Sequence, residues 1–246
     1  MPPAAGQQGQ HALADEKQQR HFDERAQDAD DEKLRMSHGM FEFSRSRCKT
    51  MNFDHWRHYA RGWVFHFLGR HDAAYEAFVA AFRLDPRDIQ AARHLAAIAA
   101  SRQRWEVAAD WFEKVLALQA DDADSWFNLG FVRERGGQTE AAIAAFKEAV
   151  RLKPAQDRAW YGMGLAYARL GRHDEAAAAF QEAVKLQPMN GEAYYQWGMA
   201  LHHARRPDEV KAVVEKLVDF EPKRAKKLVQ DAERADLMPL IPDLPF

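Results

Sequence analysis

One cysteine, Cys48, stands in 246 residues, so no internal disulfide can staple this chain. That usage fits a reducing compartment. No stretch approaches the roughly 20 consecutive apolar residues of a membrane span. The N-terminal "MPPAAGQQGQHALADEKQQRHFDERAQDADDEK" also lacks the apolar run of a signal peptide. The expectation is a soluble, cytoplasmic protein. Neither sign of charge predominates: 35 Lys+Arg face 37 Asp+Glu, and no basic block marks a nucleic-acid surface. Large apolar side chains are scarce over residues 1–32, which read as a disordered polar tail because they cannot offset their ordering entropy. Residues 33–54 read as a linker or N-terminal helix.

Catalytic motifs are lacking as well. There is no Gly-x-Ser-x-Gly, His-Glu-x-x-His or Walker pattern. "GMG" at 162–164 sits inside a helical pattern with no strand before it, so it reads as helix-packing glycine. "DDAD" at 121–124 lacks the Gly and Glu of a calcium loop. His55 and His58 lie one turn apart and His202 and His203 are adjacent, but neither pair has a Cys or Glu at metal-ligand spacing. Cys48 falls in the linker. The chain therefore reads as a non-enzyme without cofactor or metal.

What the sequence has is a repeat. A step of 34 residues links Gly130, Gly164 and Gly198. It also links Phe78, Phe112, Phe146 and Phe180, and Ala74, Ala108, Ala142 and Ala176. Pro86, Pro154, Pro188 and Pro222 follow it too, with Ala120 where a proline is missing. Five units result: 55–88, 89–122, 123–156, 157–190 and 191–224. Within a unit, Trp160, Met163, Gly164 and Tyr167 have helical spacing, as do Ala176, Phe180 and Ala183. Gly171 breaks the two helices, Asp174 is placed to cap the second, and Pro188 ends it. One such hairpin cannot bury its apolar faces alone, so neighbours must stack. Ala225, Leu228, Val229 and Ala232 then give residues 225–246 a capping helix, followed by a Pro-rich apolar tail. Three prolines in "LMPLIPDLPF" argue against a helix there.

The pattern Trp-x2-Leu-Gly-x2-Tyr, Ala-x3-Phe, Pro resembles the tetratricopeptide repeat (TPR) family over residues 55–224. Departures are local: Arg61 stands for Leu, Arg133 for Tyr, and Val210 and Val214 for Ala and Phe. The resemblance implies an all-α, right-handed α-solenoid of five helix-turn-helix units with a C-terminal capping helix. It also implies a concave groove lined by the first helix of each unit. Carried over by position, unit one supplies Trp56, Tyr59, Trp63, His66 and Phe67 from the aromatic stretch "HWRHYARGWVFHFLGR". Unit two supplies Gln90, Arg93, Ala97, Ala100 and Ser101, and unit three Asp124, Phe127, Phe131, Glu134 and Arg135. Units four and five supply Arg158, Tyr161, Leu165, Ala168 and Arg169, then Glu192, Tyr195, Met199, His202 and His203.

Chaperone-binding members of the family grip a C-terminal carboxylate through five polar side chains. Here those positions carry Arg93, Ala97, Asn128, Arg158 and Gly162, so two lack the side chain and that use is disfavoured. The expected function is a protein–protein interaction adaptor or assembly factor that takes a partner peptide or helix in an aromatic groove. The alternative is a self-assembling scaffold, a homo-oligomer whose terminal segment fills the groove. No nucleic acid and no membrane span is expected. The Ala/Arg-rich, low-Lys repeats are typical of a bacterial protein.

Overall fold

A computed structural model describes residues 53–242. The tail expected over 1–32 lies outside the described residues. So do the linker or helix expected over 33–54, except at its last two positions, and the chain end from residue 243. The described residues are all helical, with no strand among them. Helices pack against their sequence neighbours: α1 (Phe53–Phe67), α2 (His71–Leu84), α3 (Ile89–Ser101), α4 (Trp105–Leu118), α5 (Ala123–Arg135), α6 (Thr139–Leu152), α7 (Asp157–Arg169), α8 (His173–Leu186), α9 (Gly191–His203), α10 (Pro207–Phe220) and α11 (Pro222–Asp231). A 3-10 helix, Ala235–Leu240, follows. No helix among the described residues is long and apolar enough to cross a membrane.

Local chemistry explains the elements. In α8, Ala176, Ala177, Ala179, Phe180, Ala183 and Val184 are buried at spacings of three and four, while Asp174, Glu175 and Lys185 match the helix dipole. Each hairpin turns through one left-handed residue: Gly69, Gln103, Gly137, Gly171 and Arg205, with φ between +57° and +80°. The hydrogen bonds repeat with them. Gly171 N–H donates to Ala168 O and Arg172 N–H to Tyr167 O, both at 3.0 Å, which satisfies carbonyls at the end of α7. α11 ends in the same way, at Glu233 with φ +53°.

Antiparallel contact is set by glycine and phenylalanine. A Cβ on Gly62 would lie 2.9 Å from the Phe78 ring, and on Gly130 or Gly164 2.7 Å from Phe146 or Phe180. These three rings are at most 1% exposed. The fifth hairpin differs. Val214 stands in the phenylalanine column, and the space over Gly198 is filled instead by Leu228, reaching back from α11.

Two local expectations are corrected. Asp174 does not cap α8: the cap position is Arg172, without a side-chain hydrogen bond, and Asp174 lies in the first turn, 3.6 Å from Arg206. The second concerns the C-terminal segment, which does turn into a helix. Prolines rule out a sustained α-helix, but a short 3-10 turn needs few N–H donors, and Pro239 fits inside it. Leu237 anchors the turn in the core, and the segment rests on α10 and α11.

Candidate functional site

The candidate groove residues sit on α1, α3, α5, α7 and α9, the first helix of each hairpin. Their side chains do not all serve one surface. On α1, Trp56, Trp63 and Phe67 are exposed, and the Trp63 and Phe67 rings stack at 5.9 Å. Tyr59 turns inward instead, edge-on to Phe78 at 5.5 Å and to His94 at 5.9 Å. Burial, reinforced by the Asp88 charge, raises its hydroxyl pKa. His94 stacks on Phe78 at 4.6 Å and lies 6.0 Å from His66. Burial lowers its pKa, and the neighbouring His66 lowers it further against the opposing pull of Asp88. No group of three or more His, Cys, Asp or Glu among the described residues could hold a metal ion.

Arg93 is committed to the fold. Its guanidinium donates to Asp122 Oδ2 at 2.6 Å and to Gln119 Oε1 at 3.2 Å, tying α3 to the turn before α5. Burial pushes the Asp122 carboxyl up, but hydrogen bonds from Ser125 and Arg93 outweigh it and hold the group below its ordinary value. Tyr195 is likewise engaged: its hydroxyl donates to Asp231 Oδ2 of α11 at 2.6 Å, and Lys227 sits 5.0 Å from its ring. Burial and then that hydrogen bond push its pKa up to about 12. Met199 packs half-buried against the core, and Asn128 is half-buried away from the cleft described next.

Seven of the candidates converge, Glu134 and Arg135 among them. Phe127 and Phe131 of α5 face Arg158, Tyr161 and Leu165 of α7 across a cleft of about 450 Å³. Glu134, Arg135, Asp157, Gly162, Gln187, Asn190 and Phe146 complete its lining. Aromatic contacts fix the walls: Phe127 lies 6.0 Å from Phe146, Tyr161 5.6 Å from Phe180, and Phe131 6.5 Å from Trp105. Burial raises the Tyr161 pKa, and Glu192 adds to the effect against Arg224. Glu134 is paired with Arg169 at 2.6 Å. Arg158 has no hydrogen bond or ion pair among the described residues.

The family resemblance implies a lining from first helices alone. Phe146 comes from α6 and Gln187 and Asn190 from the turn before α9, all missed by that rule. The one signal available was Gly162, a second glycine beside the packing residue Gly164.

A tetratricopeptide repeat family model matches residues 59–125, 112–157, 127–190 and 161–209. Among solved structures, a MamA protein is similar with a TM-score of 0.66 and 24% identity, covering 72% of this chain and 96% of that one. MamA from Desulfovibrio magneticus RS-1 is similar with a TM-score of 0.62 and 21% identity, covering 74% and 98%. YrrB, described as a TPR protein with an unusual peptide-binding site, is similar with a TM-score of 0.62 and 21% identity, covering 72% and 90%. At these identities the likeness is one of fold. No curated protein sequence matches the chain.

Proposed function

The chain belongs to the tetratricopeptide repeat family, and from that premise we propose that it is an interaction adaptor without chemistry of its own, binding a segment of a partner protein between α5 and α7. The observation that carries this reading is the cleft itself. Its walls are aromatic and aliphatic, its rim carries charge, and its volume of about 450 Å³ matches concave recognition sites. Aromatic anchors in a partly preformed recess are the side chains that dominate binding energy at protein interfaces. YrrB, similar in fold, carries a peptide-binding site according to its description.

The test is photo-crosslinking in cells that express the protein natively. A benzophenone amino acid replaces Phe131 or Leu165 in the cleft, and Ala144 or Gln181 on the exposed faces of α6 and α8. Discrete adducts from the cleft positions, absent from the second-helix positions, are expected. Equal labelling from both faces, or none from the cleft, would overturn the reading.

Self-association is a second reading, favoured by the exposed Trp56, Trp63 and Phe67 on α1. It requires a light-scattering mass that grows with concentration and falls back when Trp63 and Phe67 are both replaced by Ser. A constant single-chain mass at high concentration removes it.

A further inference from the structure

We infer that the α5–α7 cleft selects acidic segments: it receives one aromatic side chain of the partner, while Arg158 pairs with an Asp or Glu beside that ring. The inference rests on the groove reading proposed above and names the chemistry of its partner.

The first argument comes from a comparison within the chain. Two repeat steps separate Phe78 from Phe146, and the same two steps separate His94 from Gly162. The His94 imidazole lies flat on Phe78 at 4.6 Å, with 8° between the planes. Gly162 brings no side chain there: the Phe146 ring lies against it, 2.8 Å from where a Cβ would stand, and the cleft opens beside this contact. At the other equivalent positions stand Ala60, Asn128 and Gln196, so Gly162 alone in the column has no side chain. Phe146 is 1% exposed and offers little surface itself. The accessible walls are Phe127, Phe131, Tyr161 and Leu165. A partner ring entering here makes the offset and edge-to-face contacts that aromatic groups favour.

The second argument is electrostatic. Apart from Arg135, the other Asp, Glu and Arg side chains on the candidate groove positions are paired: Asp124 accepts from Gln156 at 3.1 Å, Glu134 pairs with Arg169 at 2.6 Å, Glu192 pairs with Arg224, and Arg93 pairs with Asp122. Arg158 pairs with nothing among the described residues. Its position also opposes helix stability, because a cation in the first turn of α7 faces the positive end of the helix dipole. Arg135 adds a second cation to the lining, engaged only with the Trp105 ring at 5.4 Å. Asp157 is the one unpaired carboxylate against these two. The unpaired charge of the lining is therefore positive, complementary to an acidic segment. The Tyr161 hydroxyl, without a hydrogen bond among the described residues, is a further donor for a carboxylate.

The experiment selects random peptides of about a dozen residues on the full chain, then measures the winners by fluorescence anisotropy. Peptides with an aromatic residue and a nearby Asp or Glu are expected. Arg158→Glu should weaken them about tenfold or more, and a selection repeated on that variant should favour Lys or Arg instead. Arg158 is exposed and unpaired, so this variant keeps its fold. Gly162→His, whose Cβ would stand 2.8 Å from the Phe146 ring and force it to shift, should close the cleft and abolish binding. Circular dichroism melting tests whether this second variant folds, and Leu165→Lys blocks the same space where it does not. Winners that bind the cleft with no charge preference, or a preference unmoved by Arg158→Glu, overturn this inference and leave the groove reading standing. Winners unaffected by Gly162→His and Leu165→Lys, or no winners at all, overturn both.

Discussion

At the residue scale, the five hairpin turns form an internal experiment on backbone strain. Gly69, Gly137 and Gly171 sit at positive φ, and Gln103 and Arg205 occupy the same place with φ of 57° and 59°. A residue with a Cβ is disfavoured there by roughly 1–2 kcal/mol. Nothing lies within 4 Å of a Cβ built on Gly137, so packing does not enter. Gly137→Ala is therefore expected to destabilise by about 1 kcal/mol and Gln103→Gly to stabilise by about 0.5–1 kcal/mol. Urea midpoints decide it. A Gln103→Gly variant less stable than the parent would show that its side chain contributes more than the strain it costs. The glycines of these turns are readable in the sequence because three of them share one column. Gln103 and Arg205 carry no turn signal of their own, and the step of 34 residues alone places them there.

At the element scale, the same helix pair is completed in two ways. In α7 and α8, Phe180 of the second helix covers Gly164 of the first; at the end of the array, Leu228 of α11 covers Gly198. Val214 is too short to do what Phe180 does, and the deficit is met from the next element. Leu228 is fully buried, so Leu228→Ala should cost about 2–5 kcal/mol. The exposed neighbour Lys226, changed to Ala, should cost within about 0.5 kcal/mol. A small loss from Leu228→Ala in urea melts would mean that α11 merely shields the end. Columns of Gly, Ala and Phe made the regular pairs legible. The substitution at Val214 could be read as a departure, but its remedy could not, because Leu228 lies outside the repeat and its partner is set by three-dimensional packing. Arg93 shows the same limit. Its column marks it as groove-facing, yet the rotamer that reaches Asp122 joins residues 29 apart, a distance no periodicity encodes.

At the scale of the whole array, stability is a sum of hairpins and the interfaces between neighbours, so opening begins where a helix has least to lose. Among the residues of α1 only Gly62 is buried, whereas α6 buries seven. Among the described residues, α1 also carries most of the exposed aromatic side chains: Phe53, Trp56, Trp63 and Phe67. The cleft, by contrast, stands between α5 and α7, flanked by hairpins on both sides. Its walls are thus held by the most supported part of the chain, which favours a preformed recess that loses little entropy on binding. Native-state hydrogen exchange should show this gradient: amides of α1 exchange through local opening at low free energy, while those of α5 to α8 approach the global unfolding value. The substitution Leu228→Ala should then lower protection in α9 to α11 and leave α1 unchanged, because influence passes only between neighbours. Uniform protection from α1 to α11, falling as one in the variant, would mean that the array unfolds as a single cooperative block, and the cleft could then owe its shape to no local support.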